Sequence, residues 1–415
     1  MKSIRINLLS FFITLLLLLQ MKFFYLFPFN AFYSFNSNQQ QILMVITIFF
    51  AIVVMRLKPI TDLKPSSFNI PIAIFIFYYF IELIISSIKN GQGIVNAFIA
   101  SNFYLMVLGY FVFGYYIQSE GLEKLNNKII IVSFLNIIIC WLQYFFAKHG
   151  ILITKMSLDN MRFGSVRLSD MAETVTSFGI LIAFGRFENI KNSKRLKYLL
   201  MVIIGVLGNL IVAKGRVAII ALIMGLVVIE VMNQKRDPLK IMLVLVLVLV
   251  SLGVFFKTSV GQTYGNSFQQ NAEANTAGIR QREYAYYNTQ TNSSVSNLLF
   301  GIGFIRDNGD SMSVYLKGPT YMYSRTDIGF MGIVNALGII GAIWYLLLLL
   351  LCGVYLYGRI RSMPKIDESS IVTIAFWLFQ IIYLPTMATL NPFSITSFVL
   401  LLSITNYLYS KKMEN

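Results

Sequence analysis

The sequence predicts an all-α integral membrane protein with about twelve transmembrane helices and one large extracellular loop. Hydrophobic residues make up 57% of the 415 residues and charged residues only 13%, whereas a soluble domain is about half apolar and a quarter charged. Apolar runs of about 20 residues, the length that crosses a bilayer, recur along the chain. A single long polar stretch, residues 257–326, interrupts them.

The predicted transmembrane segments follow from a scan for apolar runs of crossing length. They are residues 7–27, 41–56, 69–88, 98–118, 129–147, 171–186, 198–213, 217–232, 241–256, 327–357, 371–388 and 393–409. The first run lacks a small-x-small cleavage site, so we interpret it as a retained helix and not as a signal peptide. The run 327–357 is overlong, which indicates a tilted helix or one that begins in a protein-lined cavity.

These segments divide the chain into three parts. Residues 1–256 carry the first nine predicted helices, residues 257–326 form the large extracellular loop, and residues 327–415 carry the last three helices. Within the loop, Glu273–Gln290 has the pattern of an amphipathic helix, with Arg280, Tyr284 and Tyr287 on one face at i, i+4 and i+7.

The basic residues orient the chain in the membrane. With the N-terminus inside, 20 of the 34 Lys and Arg residues lie in cytoplasmic segments and 8 in short outer segments. The remaining 6 lie in the long loop, which the positive-inside rule does not count. Both termini are therefore expected in the cytoplasm. The net charge of +16 is mostly an orientation signal, and no basic soluble face is available for nucleic acid.

Three basic clusters are expected on the outer side, where the insertion rules disfavour them. They comprise Arg162 and Arg167, then Lys214 and Arg216 around Gly215, and finally Arg280, Arg282, Arg306, Lys317 and Arg325 of the long loop. Because guanidinium forks match phosphate oxygens bidentately, these clusters indicate an anionic ligand such as a diphosphate. The alternative is that the side chains reach lipid headgroups or keep the loops soluble.

Acidic residues are scarce, so each is a candidate for chemistry. Glu173 and Asp170 lie where the run 171–186 begins and suit a role in binding the acceptor or as general base. Asp327 opens the run 327–357 and is either a helix cap or a base. Glu82 lies within the run 69–88, where an ionisable group is either functional or paired with a basic neighbour. The single histidine, His149, leaves no His-rich metal site or His-based triad.

The layout and several short motifs resemble bacterial O-antigen polymerases and ligases, and more narrowly the Wzy-type polymerases of capsule and exopolysaccharide assembly. The hairpin motif is Ala213-Lys214-Gly215-Arg216-Val217-Ala218. The loop motif is Arg280-x-x-x-Tyr284 or Arg282-x-x-x-Tyr286, followed by Leu298-Leu299-Phe300-Gly301-Ile302-Gly303. The re-entry into the membrane reads Asp327-Ile328-Gly329-Phe330 and then Leu337-Gly338-Ile339-Ile340-Gly341, and Arg162 or Arg167 with Glu173 is similar to an earlier loop motif.

One departure separates the two branches of this family. Ligases usually carry a histidine just before the helix that Asp327 opens here, and this chain has none at that place. The resemblance therefore favours a polymerase and leaves the catalytic base open.

The resemblance implies a multi-span transferase of the GT-C type in the bacterial cytoplasmic membrane, acting at its outer face. It implies metal-independent, cofactor-free transfer of a growing glycan from undecaprenyl diphosphate to a lipid-linked repeat unit, with inversion at the anomeric carbon. The expected partners are this lipid-linked oligosaccharide, membrane lipid and a chain-length regulator. Arg216 with Arg280 or Arg282 is expected to hold the diphosphate, and Glu173 or Asp327 to act as base. Residues expected to bind substrate are Arg162, Arg167, Lys214, Tyr284, Arg306 and Arg325.

Three other functions compete with this interpretation. A flippase for the same lipid-linked unit belongs to a different class, but transporters usually show two equivalent halves, which this sequence lacks. An O-antigen-type ligase and a peptidoglycan polymerase of the shape-and-division type share the many spans and the outer-loop chemistry.

Overall fold

The computed structural model describes residues 2–23, 37–56, 68–147, 149, 151, 161–162, 165–168, 173–190, 194–233, 271–308, 311–319, 323–363 and 366–411. The helices are α1 (Lys2–Gln20), α2 (Ser37–Arg56), α3 (Asn69–Asn90), α4 (Gly93–Ser101), α5 (Gly109–Glu120), α6 (Leu122–Ala147), α7 (Thr174–Asn189), α8 (Lys194–Gly208), α9 (Arg216–Met232), α10 (Asn271–Thr291), α11 (Val295–Phe300), α12 (Ser313–Lys317), α13 (Phe330–Arg361), α14 (Glu368–Tyr383) and α15 (Ile395–Ser410). Short 3₁₀ helices span Asn102–Leu108 and Arg325–Ile328. Strands β1 (Met161–Arg162) and β2 (Ser165–Val166) form an antiparallel pair.

Among the described residues, five helices are long and apolar enough to cross a membrane: Asn69–Asn90, Gly93–Glu120, Leu122–Ala147, Arg195–Ala213 and Phe330–Arg361. Shorter apolar helices span Asn7–Gln20, Gln39–Met55, Glu368–Tyr383 and Ile395–Ser410. An all-α membrane protein is therefore confirmed as the fold class. The twelve crossings, the side of the loop and the orientation of the termini stay predictions, and the predicted segment 241–256 lies outside the described residues.

Capping side chains mark where two of the described helices begin. The Asp367 carboxylate accepts a hydrogen bond from the Ser370 backbone N–H at 2.7 Å and opens α14. The Ser294 hydroxyl accepts from the Asn297 N–H at 3.1 Å and opens α11. Each cap satisfies a backbone donor that the first helical turn leaves without a partner.

Helix α13 is broken near its start, at Gly338. This residue has φ 64° and ψ −174°, a conformation that is essentially restricted to glycine. The break leaves two carbonyl groups of the preceding turn available to partners outside the helix. The Asn335 oxygen accepts from the Ile302 N–H at 2.7 Å, and the Leu337 oxygen accepts from the Tyr78 hydroxyl.

The segment Leu299–Gly303 docks against this break. A Cβ added at Gly338 would lie 2.1 Å from the Leu299 carbonyl oxygen, and one at Gly301 would lie 2.7 Å from the Ala336 oxygen. The two glycine motifs recognised in the sequence thus contact each other. The overlong run 327–357 starts at the exposed Asp327, but most of residues 331–338 are buried, so the first turns of α13 lie inside protein.

Helices α7, α9 and α14 pack closely in the core of the bundle. The rings of Phe178 and Phe376 stack with centroids 3.9 Å apart, while Gly185 lies against Val372. Phe178 of α7 contacts Phe376 of α14, and the later residue Gly185 contacts the earlier residue Val372. The two helices therefore run antiparallel. The start of α7, beside Glu173, therefore lies at the same end of the bundle as the end of α14.

Candidate functional site

The hairpin between α8 and α9 is tied to the segment that precedes α7. The Leu168 N–H donates to the Val212 oxygen at 3.0 Å, and Arg167 Nε donates to the Ala213 oxygen at 2.9 Å. Residues Asn209–Ala213 form a π-helical turn, a feature frequent at functional sites. These contacts place Arg167 of the first basic cluster beside the hairpin that carries the second.

Lys214 and Arg216 occupy the hairpin itself. Lys214 takes the left-handed conformation with φ 52° and is 3% exposed, so its backbone turns the chain sharply into α9. Arg216 is half-buried and is the first residue of α9. Both side chains are therefore held at the same end of the bundle as Arg167.

Asp327 reaches the same end of the bundle from the 3₁₀ helix Arg325–Ile328. The Phe330 N–H donates to the Leu384 oxygen at 3.1 Å, directly after α14 ends. A Cβ added at Gly329 would lie 2.1 Å from the same Leu384 oxygen, so this close approach requires glycine. The short 3₁₀ helix that carries Asp327 is thus fastened to the end of α14.

Tyr383, the last residue of α14, marks the point where these segments meet. Glu173, Arg167, Arg280 and Asp327 all act electrostatically on its hydroxyl. We call Arg167, Glu173, Arg280, Asp327 and Tyr383 the Tyr383 cluster. Four of its members were predicted as site residues from four separate stretches of sequence, and the tertiary structure brings them within electrostatic range of one side chain.

Helix α10 carries Arg280 to the cluster. Its buried stripe is Glu283, Tyr287 and Thr291 at i, i+4 and i+8, which are 3%, 0% and 1% exposed. The stripe packs on α13 and on the 3₁₀ helix Arg325–Ile328, and the Ser324 backbone donates a hydrogen bond to Glu283. Arg280 lies nearly one turn before Glu283 and remains exposed.

Two carboxylates border each other where α10 meets the 3₁₀ helix. Desolvation, followed by the nearby Asp327 charge, raises the pKa of Glu283 to about 7, against the opposing charge of Arg280. Asp327 keeps an exposed surface, yet partial desolvation of its carboxylate raises its pKa, while Arg280 and Arg167 act in the opposite direction. The Glu283 carboxyl can therefore hold or release a proton near neutral pH.

Glu283 and Tyr383 were not singled out in the sequence. The signal for Glu283 was available, because Glu283 lies four residues before Tyr287 and eight before Thr291 and so shares their helical face. Tyr383 had no comparable signal. It is one of 23 tyrosines, and only the antiparallel packing of α7 on α14 gives it its neighbours.

Other predicted residues of the long loop lie apart from the cluster. Arg282 is exposed, and its Nε donates to the Gly278 oxygen of its own helix at 3.1 Å. Tyr284 is 54% exposed, whereas Tyr287 is buried, so the face predicted for Arg280, Tyr284 and Tyr287 is not one contact surface. That part of the amphipathic-helix prediction is corrected: the buried stripe begins at Glu283.

Arg306 serves a different contact. Its Nη1 donates to Asn96 Oδ1 at 2.9 Å, and its backbone N–H donates to Gln92 Oε1 at 2.8 Å. These bonds fasten the loop to the turn between α3 and α4. Arg162 pairs through its backbone with Ser165, while its side chain, like Asp170, lies outside the described residues.

Arg325 lies in the 3₁₀ helix, two residues before Asp327. Its Nη1 donates to the Gly303 oxygen at 2.8 Å, and burial lowers the pKa of the guanidinium. It therefore faces the protein interior, away from the surface that Asp327 keeps exposed.

Within the described parts of the chain, His, Cys, Asp and Glu side chains form no group of three or more that could hold a metal ion. No protein-family model matches the chain, and no curated protein shows detectable similarity to it. The functional argument therefore rests on the Tyr383 cluster and its surroundings.

Proposed function

We propose that the protein is a polysaccharide polymerase. It transfers a growing glycan from undecaprenyl diphosphate to a lipid-linked repeat unit on the outer face of the bacterial cytoplasmic membrane. The observation that carries the proposal is the Tyr383 cluster, in which two guanidinium groups and two carboxylates from distant segments share one end of a helical membrane body.

The cationic side chains suit the leaving group. In the proposed reaction, Arg167 and Arg280 bind the diphosphate oxygens, and Arg216 and Lys214 of the adjoining hairpin add positive charge. Negative charge grows on the diphosphate as the glycosidic bond breaks, and each preorganised donor contributes about 3–4 kcal/mol to stabilising such a charge. This chemistry is supplied by the chain's own side chains.

A carboxylate completes the reaction. The acceptor hydroxyl oxygen forms a bond to the anomeric carbon, and the bond from that carbon to the diphosphate breaks with its electron pair on oxygen. The hydroxyl proton passes to Asp327. We assign this role to Asp327 and not to Glu173, because Asp327 is exposed whereas Glu173 is only 8% exposed. The neighbouring Glu283 interacts with Asp327 through its charge.

The decisive experiment is the glycan profile of a strain that lacks the protein. A polymerase deficiency leaves single repeat units on the cell surface, because units still cross the membrane but are not joined. Intermediates trapped at the cytoplasmic face would instead indicate a flippase and overturn the proposal. Surface units that polymerise normally but are not attached to their terminal acceptor would indicate a ligase.

A further inference from the structure

A cavity of about 160 Å³ lies beside the Tyr383 cluster, on the inner side of the 3₁₀ helix that carries Asp327. Three aromatic rings line it: Phe103 and Tyr104 from the 3₁₀ segment after α4, and Phe304 from the loop. Thr326 and Arg325 of the 3₁₀ helix also line it. The described lining of the cavity is thus largely apolar, and its one cationic group is the guanidinium of Arg325.

The guanidinium of Arg325 is incompletely satisfied. Nη1 donates to the Gly303 oxygen, but Nε and Nη2 are buried without a hydrogen-bond partner among the described residues. These two nitrogens form one edge of the guanidinium, the edge that binds a carboxylate or phosphate bidentately. A buried donor left without a partner is costly, and a native structure rarely keeps two on one side chain unless something else uses them.

No carboxylate among the described residues forms an ion pair with Arg325. The groups that act electrostatically on this guanidinium include Tyr287, Tyr104 and Tyr286, and its charge in turn acts on the cation Lys89. A buried cation without a counter-charge is strongly unfavourable. An anionic ligand would remove that penalty and supply both missing acceptors.

We propose that this cavity binds one acidic sugar of the lipid-linked repeat unit, with its carboxylate on Nε and Nη2 of Arg325 and its ring against the aromatic wall. The inference rests on the proposed function and deepens it, because it names a uronic acid as part of the substrate. Neither nitrogen is reached by water in this conformation, so the cavity wall beside them must move for the carboxylate to enter.

Size and charge separate this site from the diphosphate site. Whole drug-sized ligands fill pockets of about 300–1,000 Å³, so a cavity of about 160 Å³ takes a single ring. One guanidinium matches one carboxylate, whereas the Tyr383 cluster has two guanidinium groups for a diphosphate. The two sites are adjacent because Arg325 and Asp327 are separated by one residue.

The test uses the purified full-length protein in lipid nanodiscs. Ligand-observed NMR measures binding of methyl glucuronide and methyl galacturonide, with methyl glucoside and methyl galactoside as neutral counterparts. Glucose 6-phosphate provides a sugar that is anionic through phosphate. The variants are Arg325→Gln, Arg325→Lys and, as a matched control, Arg195→Gln, which removes an exposed arginine outside the cavity.

We expect a uronide to bind at least tenfold more tightly than its neutral counterpart. Arg325→Gln should abolish this preference, Arg325→Lys should restore only part of it because lysine lacks the planar fork, and Arg195→Gln should retain it. Thermal unfolding of each variant shows whether it is folded. If Arg325→Gln does not fold, Arg325→Lys still tests the proposal.

Equal binding of acidic and neutral sugars by the wild type would overturn the proposal, as would a preference for glucose 6-phosphate over both uronides. Either result leaves the polymerase proposal standing if the deletion strain still shows single surface units. Conversely, uronide binding with a normal polymer in the deletion strain would overturn the polymerase function alone.

Discussion

Arg280 and Arg282 show at the scale of the residue why composition is a poor guide to a site. The two side chains are of one type, lie two positions apart on α10 and are both exposed. Two positions on a helix differ by about 200° around the axis, so they face different surroundings. Arg280 acts on Asp327, Glu283 and Tyr383, whereas Arg282 bonds to the backbone of its own helix.

This difference predicts unequal effects of two matched substitutions. We expect Arg280→Ala to reduce polymerisation by about 10²–10³-fold, the usual loss when one preorganised donor to a developing charge is removed. Arg282→Ala removes the same charge from the same helix and should retain most of the activity. Polymer length in a complemented deletion strain, normalised to protein abundance by immunoblot, measures both. Equal losses would show that net loop charge matters and not the position of Arg280.

At the scale of the element, the break in α13 explains why two glycine motifs occur in distant parts of the sequence. Gly338 supplies the conformation that ends the first turns of the helix, and Gly301 allows the loop backbone to approach. The carbonyl oxygen of Asn335, freed by the break, then accepts the Ile302 N–H. The motifs are therefore parts of one backbone contact. The loop leaves this contact at Gly303, whose carbonyl oxygen accepts a hydrogen bond from Arg325.

We predict that Gly338→Ala destabilises the protein markedly. An alanine there combines a conformation that costs about 1–3 kcal/mol with a Cβ placed against the Leu299 oxygen. The matched control is Gly114→Ala in α5, where an added Cβ meets no atom within 4 Å. The midpoint of thermal unfolding in detergent should fall by several degrees for Gly338→Ala and stay unchanged or rise slightly for Gly114→Ala. Equal midpoints would mean that the break does not depend on glycine.

At the scale of the whole molecule, the helical bundle places chemically active groups at one end. The antiparallel packing of α7 and α14 sets Glu173 and Tyr383 at the same level, and the hydrogen bonds of Arg167 and Leu168 add the hairpin before α9. The positive-inside rule predicts that this end faces outward, where lipid-linked sugars are joined in the proposed reaction.

The predicted orientation is testable by cysteine labelling of intact cells. Arg282→Cys and Arg195→Cys place thiols at exposed positions that are expected outside and inside the cell, respectively. The native Cys140 and Cys352 are both buried, so background labelling of these two thiols should be low. A membrane-impermeant maleimide should label Arg282→Cys in whole cells and Arg195→Cys only after lysis. The opposite pattern would place the Tyr383 cluster in the cytosol and exclude the proposed reaction.

The fold class was largely readable from the sequence. Burial of a backbone in lipid requires that its polar groups bond within the segment, so long apolar runs have few alternatives to the helix. The short 3₁₀ and π-helical segments and the break at Gly338 were not readable in the same way. The π-helical turn accepts hydrogen bonds from Arg167 and Leu168, and the break at Gly338 leaves carbonyl groups that accept from Ile302 and Tyr78. Both features therefore depend on neighbours that are distant in the sequence.

The sequence by itself determined that this is a membrane protein, that arginines recur in its polar connecting segments and which types of side chain are available for chemistry. These properties follow from composition and local spacing. Only the tertiary structure decided which charges meet. It joined Arg167, Arg280, Glu173 and Asp327 around Tyr383, directed Arg306 to another contact and placed Arg325 in the wall of a cavity. The physical reason is that electrostatic coupling depends on distance and desolvation in space, and helix packing sets both.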